Sequence, residues 1–198
     1  MSSIDESRQT KQRVPAAERR DALIDAAMQE FARGGLYGTP VDRIARRVGV
    51  AQPYVFSLFP TKRDLFLAAA ERCFDHTTEM FREAAATYDP ETAEPGSDVL
   101  TAMGERYIER LQSDRWVLML QLHIYAACDD DVIRERVRAA YARLLLSIRE
   151  FSGAEPEQIS DFIRDGMWLN VAAAMGVEDL SVAANWVWVL VGEPPPTP

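Results

Sequence analysis

Lysine is almost missing from this chain: Lys11 and Lys62 are the only two among 22 basic residues. The rest of the positive charge is arginine, a bias that reads mainly as genomic base composition. Cysteine is as scarce, with Cys73 and Cys128 alone. Two thiols make no disulfide framework and fit a reducing cytoplasm. No apolar run approaches the roughly 20 residues that span a bilayer, so no membrane partner is expected. The opening residues, MSSIDESRQTKQR, are polar and carry no secretory signal. Alternating apolar and polar stretches, the mark of a half-buried strand, are missing too. So are a P-loop, a dinucleotide glycine motif, GxSxG and HExxH. Neither an enzyme nor a bound cofactor is therefore expected.

What is present is helical. The 198 residues are 47% hydrophobic and 27% charged, enough apolar material for a real core. Apolar residues recur at a period near 3.6, and the fold class expected is all-α with about nine helices. The net charge of −9 by itself argues against nucleic acid, but its distribution does not. Residues 1–65 hold 11 basic and 8 acidic side chains, while the remaining 133 residues hold 11 and 23. A small basic head on an acidic body suits one region that touches phosphates, although chance clustering on solvated faces gives the same pattern.

Punctuation divides the chain. Residues 1–14 read as a flexible basic arm, able to reach phosphates or a minor groove, or simply solvated. A helix-turn-helix head is expected over 15–61. Its first helix starts near Pro15-Ala16 and ends at Gly34-Gly35. Thr39-Pro40 opens a second helix, Gly49 stops it, and a third runs from Ala51-Gln52 to Phe59. A helical body follows over 62–192, beginning with a long helix that Thr61 caps and that reaches Thr87. The tail 193–198, rich in proline, is expected to be disordered.

Two short helices around the turn Val48-Gly49-Val50-Ala51 have helix-turn-helix spacing, though an ordinary helical hairpin looks alike. The second of them carries Gln52, suited to adenine, with Tyr54 and Ser57 suited to phosphates or base edges. Over about residues 18–75 the chain resembles the tetracycline-repressor (TetR) family. The resemblance rests on Ala26 to Gly35 (AAMQEFARGG), Tyr37-Gly38-Thr39, Val41-Asp42-Arg43-Ile44-Ala45, Gly49-Val50, Gln52-Pro53-Tyr54 and Phe59-Pro60-Thr61-Lys62-Arg63-Asp64-Leu65. It implies a transcription regulator that binds double-stranded operator DNA, with its third helix in the major groove. Carried onto this chain, it implies that Thr39 caps the second helix and binds a phosphate. Gln52, Pro53 and Tyr54 would open the recognition helix, Lys62 would bind a phosphate, and Arg43 joins the set. Phe56 stands where the family often has tyrosine, and reads equally as core packing. Leu58 either touches a thymine methyl or packs.

The same resemblance implies a body that dimerises and binds a small-molecule effector, here unidentified. Large adaptable side chains suit such a site: Met103, Tyr107, Trp116, Met119, His123, Tyr141, Trp168 and Asn170 are the candidates, although such a stripe is more often core. A homodimer face is expected on the last two helices. One offers Ile159, Phe162, Ile163 and Gly166; the other, apolar on every side over WVWVLV, offers Trp186, Val187, Val189 and Leu190. Other classes remain at this point: a helical protein-interaction module, or a thiol or metal sensor built on Cys73, His76 and Cys128.

Overall fold

A computed structural model describes residues 15–176. Among the described residues there are eight α-helices, one 3-10 turn and no strand: α1 (Ala16–Gly38), α2 (Val41–Val48), α3 (Gln52–Leu58), α4 (Lys62–Thr87), α5 (Val99–Ser113), α6 (Arg115–Ala126), α7 (Asp131–Ser152) and α8 (Pro156–Ala174). The expected arm, the tail, and the last helix with Trp186, Val187, Val189 and Leu190 lie outside the described residues.

Local chemistry sets the helix ends. The Thr61 hydroxyl accepts the Asp64 N–H at 3.1 Å, and the Asp64 carboxylate accepts the Thr61 N–H at 2.9 Å, a reciprocal box that opens α4. Asp98 and Thr101 make the same exchange at the start of α5. Asp130 accepts the N–H groups of Val132 and Ile133 to start α7. The Ile133 N–H and the Arg63 guanidinium together hold the Asp130 carboxyl below the usual carboxylate range. α7 ends at Gly153, whose φ of 66° is the left-handed cap that glycine adopts without steric cost.

α4 is the spine, packed against α1, α5, α6 and α7. Its N-terminal half crosses α1, where Phe31 and Phe66 meet edge-to-face at 5.0 Å, both fully buried. Arg72 of α4 pins the same crossing by pairing with Asp21 and Asp25. α6 closes over α1 from the other side. α8 packs against α5, α6 and α7 at the far end.

One residue of α1 is not helical. Gly35 has φ 62° and ψ −172°, a region essentially reserved for glycine, and the helix kinks there before making a further turn to Gly38. The sequence expectation that Gly34-Gly35 ends the helix is half right: the break is there, and helical turns resume after it. The kink brings α1 against α6, so that a Cβ on Gly35 would stand 2.8 Å from Nδ1 of His123. Gly35→Ala should therefore lower the urea midpoint by the equivalent of ~1–3 kcal/mol. Adding His123→Ala should recover only the contact share of that loss. A midpoint unchanged by Gly35→Ala would show that the kink stores no such constraint.

Candidate nucleic-acid interface and effector cavity

The head is built on burial of one stripe from each short helix. Val41, Ile44 and Ala45 of α2 face inward, as do Val55 of α3 and the following Phe59. Between them Gly49 adopts φ 71°, which lets the Val50 N–H return to the Ala45 carbonyl at 3.0 Å and fixes the crossing of the two helices. With those stripes inward, α3 turns Gln52, Pro53, Phe56 and Ser57 to solvent. α2 turns out Arg43, Arg46 and Arg47 beside them.

Several sequence expectations change on this frame. Thr39 does not cap α2: it is fully buried, and its hydroxyl donates to the Glu30 carbonyl at 3.1 Å. The N-cap position is Pro40, with no side-chain cap. A phosphate role for Thr39 fails for the same reason, since the hydroxyl points into the head. Phe56 is 39% exposed, so the core-packing reading of it fails as well. Tyr54 and Leu58 are the half-buried members of α3, packed on the core. The Ser57 hydroxyl donates to the Tyr54 carbonyl at 2.7 Å. Lys62 is half-buried, its ammonium donates to the Tyr37 carbonyl at 3.3 Å, and desolvation lowers its pKa.

Sequence reasoning missed Glu30. This carboxylate is 2% exposed at the rear of the head. It faces three guanidinium groups, those of Arg33 at 3.4 Å, Arg43 at 3.8 Å and Arg47 at 2.9 Å. Arg47 also donates to the Gln29 side chain. The arginines remain 39–66% exposed, so one buried anion tethers a cationic outer surface from behind. The only clue in the sequence was the Glu30–Arg33 spacing, which reads as an ordinary solvated pair.

The body encloses a cavity of about 430 Å³. Phe74, Thr77 and Phe81 reach it from α4, Tyr107 from α5, Gln121 and Tyr125 from α6, Tyr141 from α7, and Phe162 and Asn170 from α8. The rings stack edge-on around it: Phe81 to Phe162 at 5.5 Å and Phe74 to Tyr141 at 6.0 Å between centroids. Its polar centre is the Tyr107 hydroxyl, 2.6 Å from the Asn170 side-chain oxygen and 2.9 Å from that of Gln121. Burial pushes the Tyr107 phenol above its ordinary pKa.

Of the expected effector residues, Tyr107, Tyr141 and Asn170 meet in this cavity. Met103 is fully buried core, and Trp116, Met119 and Trp168 pack partly buried outside the lining. His123 belongs elsewhere: Gln121 and Tyr125 share the cavity side of α6, whereas His123 lies against Gly35 of the head. The α8 residues expected at a dimer face are reassigned in part. Phe162, Ile163 and Gly166, each half-buried, line the cavity, and Ile159 is buried in the core, so part of that stripe of α8 is used within its own subunit. Burial pushes the Cys73 thiol up to about 12, against a reactive thiolate there.

Residues 23–69 match the family described as bacterial regulatory proteins, tetR family. The HTH-type transcriptional activator FasR of Mycolicibacterium smegmatis is 36% identical over 75 residues, a match that spans 38% of this chain and 34% of that protein. The HTH-type transcriptional regulator CymR of Pseudomonas putida is 27% identical over 162 residues, covering 82% of this chain and 69% of the regulator. Among solved structures, a TetR-family member from Streptomyces coelicolor A3 is 24% identical with a TM-score of 0.60, covering 84% of this chain and 94% of that one. The fold is thus shared across head and body, and the family match falls in the head and the start of α4.

The Glu30 tether has a measurable consequence. Glu30→Gln removes the anion but keeps the shape, and should cost ~1–3 kcal/mol in urea unfolding, because a buried polar site loses its charge-assisted bonds. Arg33→Ala, at the most exposed partner, should stay within ~0.5 kcal/mol. Equal effects from the two variants would show that the carboxylate is not the organising partner.

Proposed function

We propose that this chain, whose residues 23–69 match the tetR family of bacterial regulatory proteins, is a repressor that binds duplex DNA as a homodimer and leaves it when a mainly apolar small molecule enters its body. The observation that carries the DNA half is the outer face of α3. Gln52, Pro53, Phe56 and Ser57 stand exposed on a helix whose other side is core, with the α2 arginines beside them. A short helix with that face fits a major groove, where a carboxamide reads adenine bidentately and apolar groups meet thymine methyls. Arg43, Lys62 and Tyr54 flank it as candidates for phosphates.

The effector half is carried by the cavity and by the position of α6. Gln121 and Tyr125 face the cavity, and His123, between them in sequence, seats on the kink of α1. A ligand that shifts α6 therefore shifts the support of the head. α4 offers a second route, since Phe74 and Phe81 line the cavity and its first turn carries Lys62. In a dimer the two recognition helices must stand about 34–36 Å apart to meet successive turns of DNA, so a small rotation of each head spoils both half-sites. The ligand releases DNA only as far as it binds the rotated state better, about 1.4 kcal/mol for each tenfold. For the dimer face, the exposed apolar side chains Leu146 of α7 and Val171 and Met175 at the end of α8 join the half-buried Phe162 and Ile163 as candidates.

Three measurements test this reading. Selection from random duplexes should yield a defined site, and Gln52→Ala should relax preference at particular bases by ~1–3 kcal/mol. Lys62→Ala should weaken every sequence alike and lower the salt slope by about one. Absence of any selected site would leave an interaction module instead of a regulator. Val171→Arg should convert dimers to monomers in sedimentation while helicity is kept, since it buries an unpaired charge in the interface. Unchanged dimers would move the interface to another face.

A further inference from the structure

We propose that the cavity takes a bulky or aromatic cation and rejects carboxylate ligands. This rests on the effector reading above and gives that effector its charge. The first observation is the sign of the groups that line the space. Asp98, Asp161 and Asp165 line it, and among the described residues no lysine, arginine or histidine does. Arg164 lies behind two of these carboxylates, 2.7 Å from Asp161 and 3.8 Å from Asp165, and offsets part of their charge. Asp98 also caps α5 by accepting the Thr101 N–H at 2.8 Å. Counted together, these four groups leave the mouth net negative.

The second observation is aromatic and independent of the first. Phe74, Phe81, Tyr107, Tyr125, Tyr141 and Phe162 surround the space. They pair edge-to-face, Phe74 with Tyr141, Phe81 with Phe162 and Tyr125 with Tyr141, so the wall is largely aromatic and its rings carry electron-rich faces. A cation is attracted to such faces and an anion is repelled.

The third is the polar centre. Gln121 and Asn170 are 5% and 2% exposed, and both side-chain oxygens approach the Tyr107 hydroxyl. A hydroxyl has one proton, so it donates to one of those amides and accepts from the NH2 of the other, whose own oxygen then has to find a donor elsewhere, such as a ligand N–H. A carboxylate ligand would lose its hydration at this point and meet no cation in return, the costliest kind of burial. An ammonium or protonated heterocycle finds an acceptor inside, ring faces around it and carboxylates at the mouth.

Three probes on one skeleton separate the possibilities: 2-naphthylmethylammonium, 2-naphthylmethanol and 2-naphthoate, titrated calorimetrically into the full chain near neutral pH. The ammonium should bind at least about tenfold more tightly than the alcohol, about 1.4 kcal/mol. The naphthoate should bind most weakly. The double variant Asp161→Asn with Asp165→Asn, at two exposed positions, should erase most of the ammonium's advantage and leave the alcohol within about twofold. Raising the salt should shrink the same advantage, because the mouth is open to solvent. Naphthoate binding as tightly as the ammonium, or alcohol and ammonium binding alike, overturns the charge assignment and leaves the effector reading standing. Failure of all three probes to bind at millimolar concentration removes the effector reading itself.

Discussion

The close approach of α6 to the kink in α1 is the contact on which the rest of the arrangement depends. A backbone conformation open only to glycine lets Gly35 receive the His123 ring, with no room for a Cβ between them. Around that point the neighbouring interactions share the load. Phe31 and Phe66 fix the crossing of α1 and α4, and Arg63 reaches Asp130 at 2.9 Å from the first turn of α4. Tyr37 directs its hydroxyl toward Asp129 in the same corner. Head and body are thus joined by a packed seam with polar contacts at its edge.

The head and the body use buried polar groups in opposite ways. In the head, the Glu30 anion draws three cations toward one point and so holds α2 against α1. Removal of any one arginine leaves the other two facing the same carboxylate. In the body, Tyr107, Gln121 and Asn170 are neutral and come from three different helices. Their bonds tie α5, α6 and α8 together across a space that remains large enough for another molecule. A neutral cluster costs less to desolvate than an ion pair, and it rearranges more cheaply.

How much of this was legible beforehand depended on whether the deciding partner was near in sequence. Thr61 with Asp64, the aspartates before α7 and Gly153 after it act within one turn, and their roles were readable from residue type and spacing. The two stripes of the helix-turn-helix were readable for the same reason. Thr39 was not, because whether a hydroxyl turns toward solvent or toward the carbonyl of Glu30, nine residues earlier, depends on the kink between them. Glu30 was hidden because Arg43 and Arg47 come from the next helix. The cavity was half visible: aromatic and Met content pointed to the body, but Phe81 and Gln121 were not singled out, since five helices converge on one space. α8 stayed ambiguous because its apolar stripe has two ways to be covered, by its own subunit or by another, and periodicity alone does not distinguish them.

The seam at Gly35 also sets what can be cut from this protein. On sequence grounds a boundary at residue 61 looks like a natural end to the head. In the structure a fragment ending there would lose Phe66 from the side of Phe31, the ion pairs of Arg72, and the cover that His123 gives to the kink. The buried stripe of α1, which begins at Leu23, would lose part of its cover. A protease that nicks the turn between α3 and α4 would thus release a chain segment without a closed core, open to further cleavage.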